Sequence, residues 1–233
     1  MKPTKAILFS LLALVTMLAC SAVSNIVSTP TPVPTFTPVP TSTPVPSPTP
    51  DPVLFADSEF TDSCSTKSTP DVERFVENGQ FNLLIKKPKY VGWSECTTAE
   101  YSDFVVEADA AQVAGPDNNI YGVLFRYDLG GDDFYVFAIT GDGFYTLNID
   151  GAKHTEPDVI VDWTESSAIN KGQQTNHIKV VAVGNNIEYY VNDQLLGQAQ
   201  DTRLTKGTVG FFAGSTEVSG VQVSFDNLKI SNP

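Results

Sequence analysis

The sequence predicts an all-β fold in which two sheets pack face to face. Three observations carry this. From Val53 onward, short alternating segments are separated by Gly, Asn and Asp, and helical periodicity never persists for three turns. Asn78-Gly79, Gly141-Asp142-Gly143 and Asn192-Asp193 lie between such segments as turn signals. The segments number about ten at the spacing of a sandwich, and roughly 180 residues can bury an adequate core.

Each element follows from its own pattern. Arg74–Glu77 and Gln80–Lys86 flank Asn78-Gly79, a pair that tolerates the positive φ of a type I′ hairpin turn. Tyr101–Ala110 alternates, with Phe104, Val106 and Ala108 on one face and Glu107 and Asp109 on the other. Tyr121–Tyr127 sets Val123, Phe125 and Tyr127 against Gly122, Leu124 and Arg126. Phe134–Thr140 and Phe144–Asp150 form the next hairpin. Tyr135, Phe137, Ile139, Tyr145, Leu147 and Ile149 point inward; Val136, Ala138, Thr146 and Asn148 point outward. His177–Val183 and Ile187–Val191 flank Gly184-Asn185-Asn186, and Asn192-Asp193 turns the chain into Gln194–Gln200. Thr208–Phe212 and Val221–Ile230 close the domain.

The sequence ahead of this domain reads differently. Lys2 and Lys5 precede an apolar run from Ala6 to Ala19 that is too short for a comfortable membrane span, the grammar of an export signal. The run ends in Met17-Leu18-Ala19-Cys20, which resembles a bacterial lipobox. That resemblance implies a signal peptide over residues 1–19 and lipidation of Cys20, an anchor holding the exported chain at the cell envelope with its domain outside. Ser21, where lipoproteins kept at an inner membrane often carry Asp, leans toward an outer surface. Residues 20–52 form the linker. Within it, residues 28–52 hold ten of the 16 prolines and ten Ser or Thr, and proline removes donors and fixes φ. An extended disordered stalk is expected, reaching roughly 75 Å at about 3.1 Å per residue. The sandwich itself spans residues 53–233.

Charge narrows the partners. The chain carries 14 Lys and Arg against 27 Asp and Glu, a formal charge of −13, and every acid lies beyond residue 50. Loss of Lys2 and Lys5 with the signal makes the mature chain more acidic still. This argues against nucleic acid, and against membrane contact other than through the lipid. Two His and three Cys are too few for a Cys/His zinc site of the usual kind. Cys64 and Cys96 are the only cysteines after Cys20, and export to an oxidising compartment makes a bridge between them the default.

Asn176-His177-Ile178-Lys179-Val180, Gly184, Tyr190-Val191-Asn192, Leu196 and Gly207-Thr208-Val209-Gly210-Phe211-Phe212-Ala213-Gly214 together resemble the laminin-G-like branch of the concanavalin A-like jelly rolls. Val223 to Ile230, Tyr121 to Tyr127 and Phe134 to Ile139 fit the same pattern, so the resemblance covers nearly all of residues 53–231. The domain also resembles the 3-keto-disaccharide hydrolase-like family. The matching residues are core and turn positions, so they speak for fold more than for function.

Candidate chemistry is sparse. Glu107-Ala108-Asp109 puts two carboxylates on one face of a strand. Jelly-roll glycosidases resembling the laminarinase group use Glu-x-Asp-x-(x)-Glu on one strand, but Ala111 and Gln112 stand where the third carboxylate belongs. Glu107 and Asp109 are therefore weak catalytic candidates, read more simply as surface charges paired with Arg126 on the next strand. With the core orientation above, Glu107, Asp109, Arg126, Thr146 and Asn148 would share one open face able to hydrogen-bond a sugar. Trp163, read as a loop residue, could stack on a pyranose ring. By resemblance to related jelly rolls, Asp226 would ligate a structural calcium with carbonyls from Asp57 to Phe60. No other cofactor is expected. Asp128, Asp132 and Asp133 read as a turn, and His154 and His177 as surface or strand-edge residues without a nucleophile partner.

The sequence thus points to a non-catalytic surface lipoprotein that binds a glycan or other extracellular ligand. The competing readings are a glycoside hydrolase acting on modified 3-keto disaccharides and a structural adhesion module. It leaves the ligand and the oligomeric state open.

Overall fold

A computed structural model describes residues 52–130 and 132–233. The expected signal peptide, Cys20 and all but the last residue of the expected stalk lie outside the described residues. Among the described residues the chain forms fourteen strands and no helix. In order they are β1 (Val53–Asp57), β2 (Val72–Glu77), β3 (Gln80–Ile85), β4 (Tyr90–Glu95), β5 (Phe104–Ala114), β6 (Ile120–Asp128) and β7 (Asp133–Thr140). There follow β8 (Phe144–Gly151), β9 (Asp158–Glu165), β10 (Asn176–Val183), β11 (Asn186–Val191), β12 (Gln194–Gln200), β13 (Thr208–Ser215) and β14 (Val221–Ser231).

Two antiparallel sheets form a jelly-roll sandwich. The eight-stranded sheet runs β12-β11-β10-β5-β14-β3-β2, with β1 also paired to β14. The six-stranded sheet runs β4-β13-β6-β7-β8-β9. The predicted hairpins are present. Asn78 and Gly79 both have positive φ (54° and 78°), as do Asn192 and Asp193 (51° and 64°), the signature of type I′ turns. The core lies between the sheets and is aromatic: Phe211 of β13 stacks on Phe225 of β14 with ring centroids 4.2 Å apart. Cys64 and Cys96 are bridged and buried, tying the chain before β2 to the residue after β4.

Three strands escape the sequence pattern. β4 has Gly92 at its centre, which reads against a strand. A Cβ there would sit 2.7 Å from a Val72 methyl, so the packing of β2 leaves no room for a side chain. β1 and β9 are edge elements with weak alternation. Trp163 consequently lies on β9 and not in a loop, and it is 51% exposed.

Arg126 is the main correction. Strict alternation puts it on an open face beside Glu107 and Asp109, with Tyr127 in the core. A register shift between Phe125 and Asp128, with Arg126 at φ 51°, inserts a bulge and exchanges the two sides. Tyr127 joins the apolar cluster outside the six-stranded sheet. Arg126 becomes fully buried at 0% exposure, and its strand belongs to the opposite sheet from β5. Its guanidinium donates to three loop carbonyls: Ser102 (2.7 Å), Gly184 (2.8 Å) and Leu204 (3.1 Å).

Candidate functional site

The outer face of the six-stranded sheet is unlike an ordinary solvated sheet. Val91 and Trp93 of β4, Phe212 of β13, Leu124 and Tyr127 of β6, and Phe134, Val136 and Ala138 of β7 form a second apolar cluster there. At its centre are Gly122 and Gly210. A Cβ on either would fall within about 2 Å of a neighbouring carbonyl, Phe137 O or Ser94 O, so neither position accepts a side chain. Rings from the flanking strands lean into the space. Phe134 lies 5.3 Å from Trp93, 5.4 Å from Tyr127 and 6.2 Å from Phe212. In a flat sheet β4 and β7, three places apart, would be about 14 Å from each other. The Trp93 and Phe134 side chains therefore lean toward each other across β13 and β6.

A cavity of about 540 Å³ opens from this face. Tyr90, Val91 and Trp93 line one side; Asp150, His154 and Glu156, from the end of β8 and the connection to β9, line the other. Trp93 is half-buried and so offers a ring face with limited mobility. Burial pushes the Asp150 carboxyl above its ordinary range, against a 2.7 Å hydrogen bond that its Oδ1 accepts from the Gly151 amide. His154 Nε2 lies 3.3 Å from Asp133 Oδ1. The arrangement joins a fixed aromatic surface to convergent polar groups, which suits a polyhydroxylated ring with one apolar face.

The predicted site residues separate into different places. Thr146 and Asn148 do point outward from the six-stranded sheet, but they are only 1% and 4% exposed. The Thr146 hydroxyl lies 3.0 Å from Asn148 Oδ1 and 2.8 Å from the Val161 carbonyl, so both are engaged internally.

Glu107 and Asp109 lie on the other side of the sandwich, on the outer face of the eight-stranded sheet. Their partners come from β10 and β14, in place of the expected Arg126. Lys229 Nζ is 2.9 Å from Glu107 Oε2, His177 Nδ1 is 2.8 Å from Asp109 Oδ1, and Asn227 donates to Asp109 Oδ2 at 2.8 Å. The His177 imidazole, 3.8 Å from Glu107 Oε1, and then the hydrogen-bonded Lys229 ammonium hold Glu107 down at about 2 against the opposing effect of burial. The Glu107 carboxylate, with Asp109, pushes His177 up to about 9. A carboxyl held at about 2 has no proton to donate near neutrality, so Glu107 is poorly suited to general-acid work.

Asp226 accepts from Gln80 Nε2 (3.3 Å) and from the Asn227 amide (2.7 Å), while Asp57 caps the amides of Glu59 and Phe60. Among the described residues, no group of three or more His, Cys, Asp or Glu is placed to hold a metal ion.

Sequence reasoning missed Trp93, Tyr90, Asp150 and His154. The available signal was the alternation of Val91 and Trp93 around Gly92, which becomes legible only when the glycine is recognised as a packing requirement.

No protein-family model matches the chain, and no curated protein matches it. Solved structures do. The carbohydrate-binding module CBM66 from Bacillus subtilis superposes with a TM-score of 0.51 at 18% identity, over 73% of this chain and 96% of its own. A β-glucanase from Bacillus licheniformis gives 0.53 at 14%, over 77% and 98%. A Bacillus subtilis protein of unknown function with a galectin-like fold gives 0.57 at 9%, over 77% and 96%. At these identities the likeness shows the shared concanavalin A-like jelly-roll fold.

Proposed function

We propose that this chain is a non-catalytic glycan-binding module, displayed from the bacterial envelope on a lipid anchor at Cys20 and a Pro/Thr stalk. The observation that carries the binding part is the 540 Å³ cavity between Trp93 and Asp150, an aromatic wall facing polar groups. Two of the solved structures named above are, by name, a carbohydrate-binding module and a glucanase, which supports looking for a sugar on this fold. A glycan array followed by isothermal titration tests it. Binding of an oligosaccharide that is lost on Trp93→Ala supports the reading, and an array without hits beside strong capture of a protein ligand overturns it. Labelling of Cys20 with a clickable fatty acid in a bacterial host tests the anchor.

A second reading, hydrolysis of modified disaccharides, is favoured by one feature. Asp150 is a carboxyl raised by burial in the same cavity as Glu156, and a raised carboxyl is what a general acid needs. Turnover of 3-keto-glycosides that Asp150→Asn abolishes would establish it.

A further inference from the structure

The opposite side of the sandwich carries a separate hollow of about 370 Å³ on the outer face of the eight-stranded sheet. We infer that it is a second binding site, for a hydroxylated ligand bearing a primary ammonium group, such as an amino sugar with a free amine.

The volume falls in the range of small-ligand sites, about 300–1,000 Å³. The lining combines neutral hydrogen-bonding groups, Gln80, Gln173, Thr175 and Ser224, with two carboxylates, Asp109 and Asp226. These neutral groups match hydroxyls. The carboxylates are direct register partners on β5 and β14. Like charges placed opposite each other on neighbouring strands repel. Asn227 bridges this pair, its side chain donating to Asp109 Oδ2 and its amide to Asp226 Oδ1, and His177 compensates Asp109; among the described residues no Lys, Arg or His pairs with Asp226. His177 reaches Asp109 from β10, on the far side of β5 from β14, and Lys229 is engaged by Glu107. Asp226 takes only the neutral donors Gln80 and Asn227. An ammonium group in the hollow would supply Asp226 with the cation that Asp109 already has in His177.

The space is built into the fold. Ala111, the partner of Ser224 across β5 and β14, is small enough to leave it open. The wall that carries Gln173 and Thr175 is fixed from below: Asn176 Oδ1 accepts from the Asn170 amide at 2.8 Å, and Asn192 donates to the Ala168 carbonyl at 2.8 Å. The site is therefore preformed, and it shares no residue with the cavity at Trp93.

The test is isothermal titration of the intact chain with glucosamine, with glucose and with calcium chloride alone. Saturable glucosamine binding that Asp226→Asn weakens tenfold or more, that Trp93→Ala leaves unchanged, and that glucose does not reproduce supports the site. Ala111→Leu, which fills the hollow without changing charge, should cause the same loss, with circular dichroism confirming that each variant folds. Glucosamine binding indifferent to both substitutions overturns the proposal, as does binding of calcium alone at Asp226 with no response to the sugar. Because Trp93→Ala reports only on the first cavity, failure at one site is distinguishable from failure at the other.

Discussion

The ring of Trp93 lies 5.3 Å from that of Phe134, although β13 and β6 separate their strands in the sheet. Phe134 also lies 6.2 Å from Phe212, the register partner of Trp93, so the three rings form one packed group. The half-buried Trp93 is thereby held as a fixed wall of the cavity and not as a mobile surface residue.

Replacing Trp93 by Ala should weaken glycan binding at least tenfold, about 1.4 kcal/mol, with little change in circular dichroism. Titration calorimetry on the wild type and the variant measures it. Equal affinities would remove Trp93 from the site.

Arg126 should be a stability determinant. Arg126→Met leaves the carbonyls of Ser102, Gly184 and Leu204 without their donor, and removes a charge-assisted donor from a buried position. A hydrogen bond from a charged donor contributes about 1.5–3 kcal/mol, and water can reach part of these loop carbonyls, so a net loss of about 3 kcal/mol is expected. Urea unfolding measures it, and a loss below about 1 kcal/mol would show that water replaces the guanidinium.

The Glu107–His177 pair predicts a two-sided pH profile. His177 is raised from 6.5 to about 9, so its contribution is complete below about 6.5 and is lost as pH rises through 9. Glu107 is lowered from 4.5 to about 2, so its contribution is complete above about 4.5 and is lost as pH falls toward 2. Both side chains are partly exposed, and solvent screening reduces each contribution to about 1 kcal/mol. Denaturant midpoints across pH should fall at both ends. His177→Gln should flatten the alkaline limb, and an unchanged limb would assign it to other groups.

The Cys64–Cys96 bridge closes a separation of 32 residues. On the chain-entropy model its loss costs about 3–4 kcal/mol. The double Cys→Ser variant should show a matching fall in unfolding free energy. A fall under about 1 kcal/mol would mean that the unfolded chain is already compact there.

Most of the sandwich was legible because a strand with one face in the core must alternate, and Asn-Gly or Asn-Asp must turn. β5, β10 and β11 follow that rule closely, while β7 and β8 are buried on both faces. β4 was hidden by Gly92, whose role depends on the methyls of Val72, and β9 by its place at an edge. The site was less legible. Thr146 and Asn148 were oriented correctly and yet turn to each other, while Glu107 and Asp109 were matched with the wrong cation.

By itself, the sequence determined the fold class, the hairpin turns, the disulfide pairing and which face of most strands meets the core. These depend on local φ preferences, on period-two burial and on the number of cysteines available. Only the tertiary structure decided that β5 and β6 lie in different sheets, that a one-residue bulge buries Arg126 and turns Tyr127 outward, and that Trp93 faces Asp150 across a cavity. Strand order and bulges are settled by the packing of residues far apart in the chain, and a single inserted residue reverses every orientation that alternation assigns beyond it.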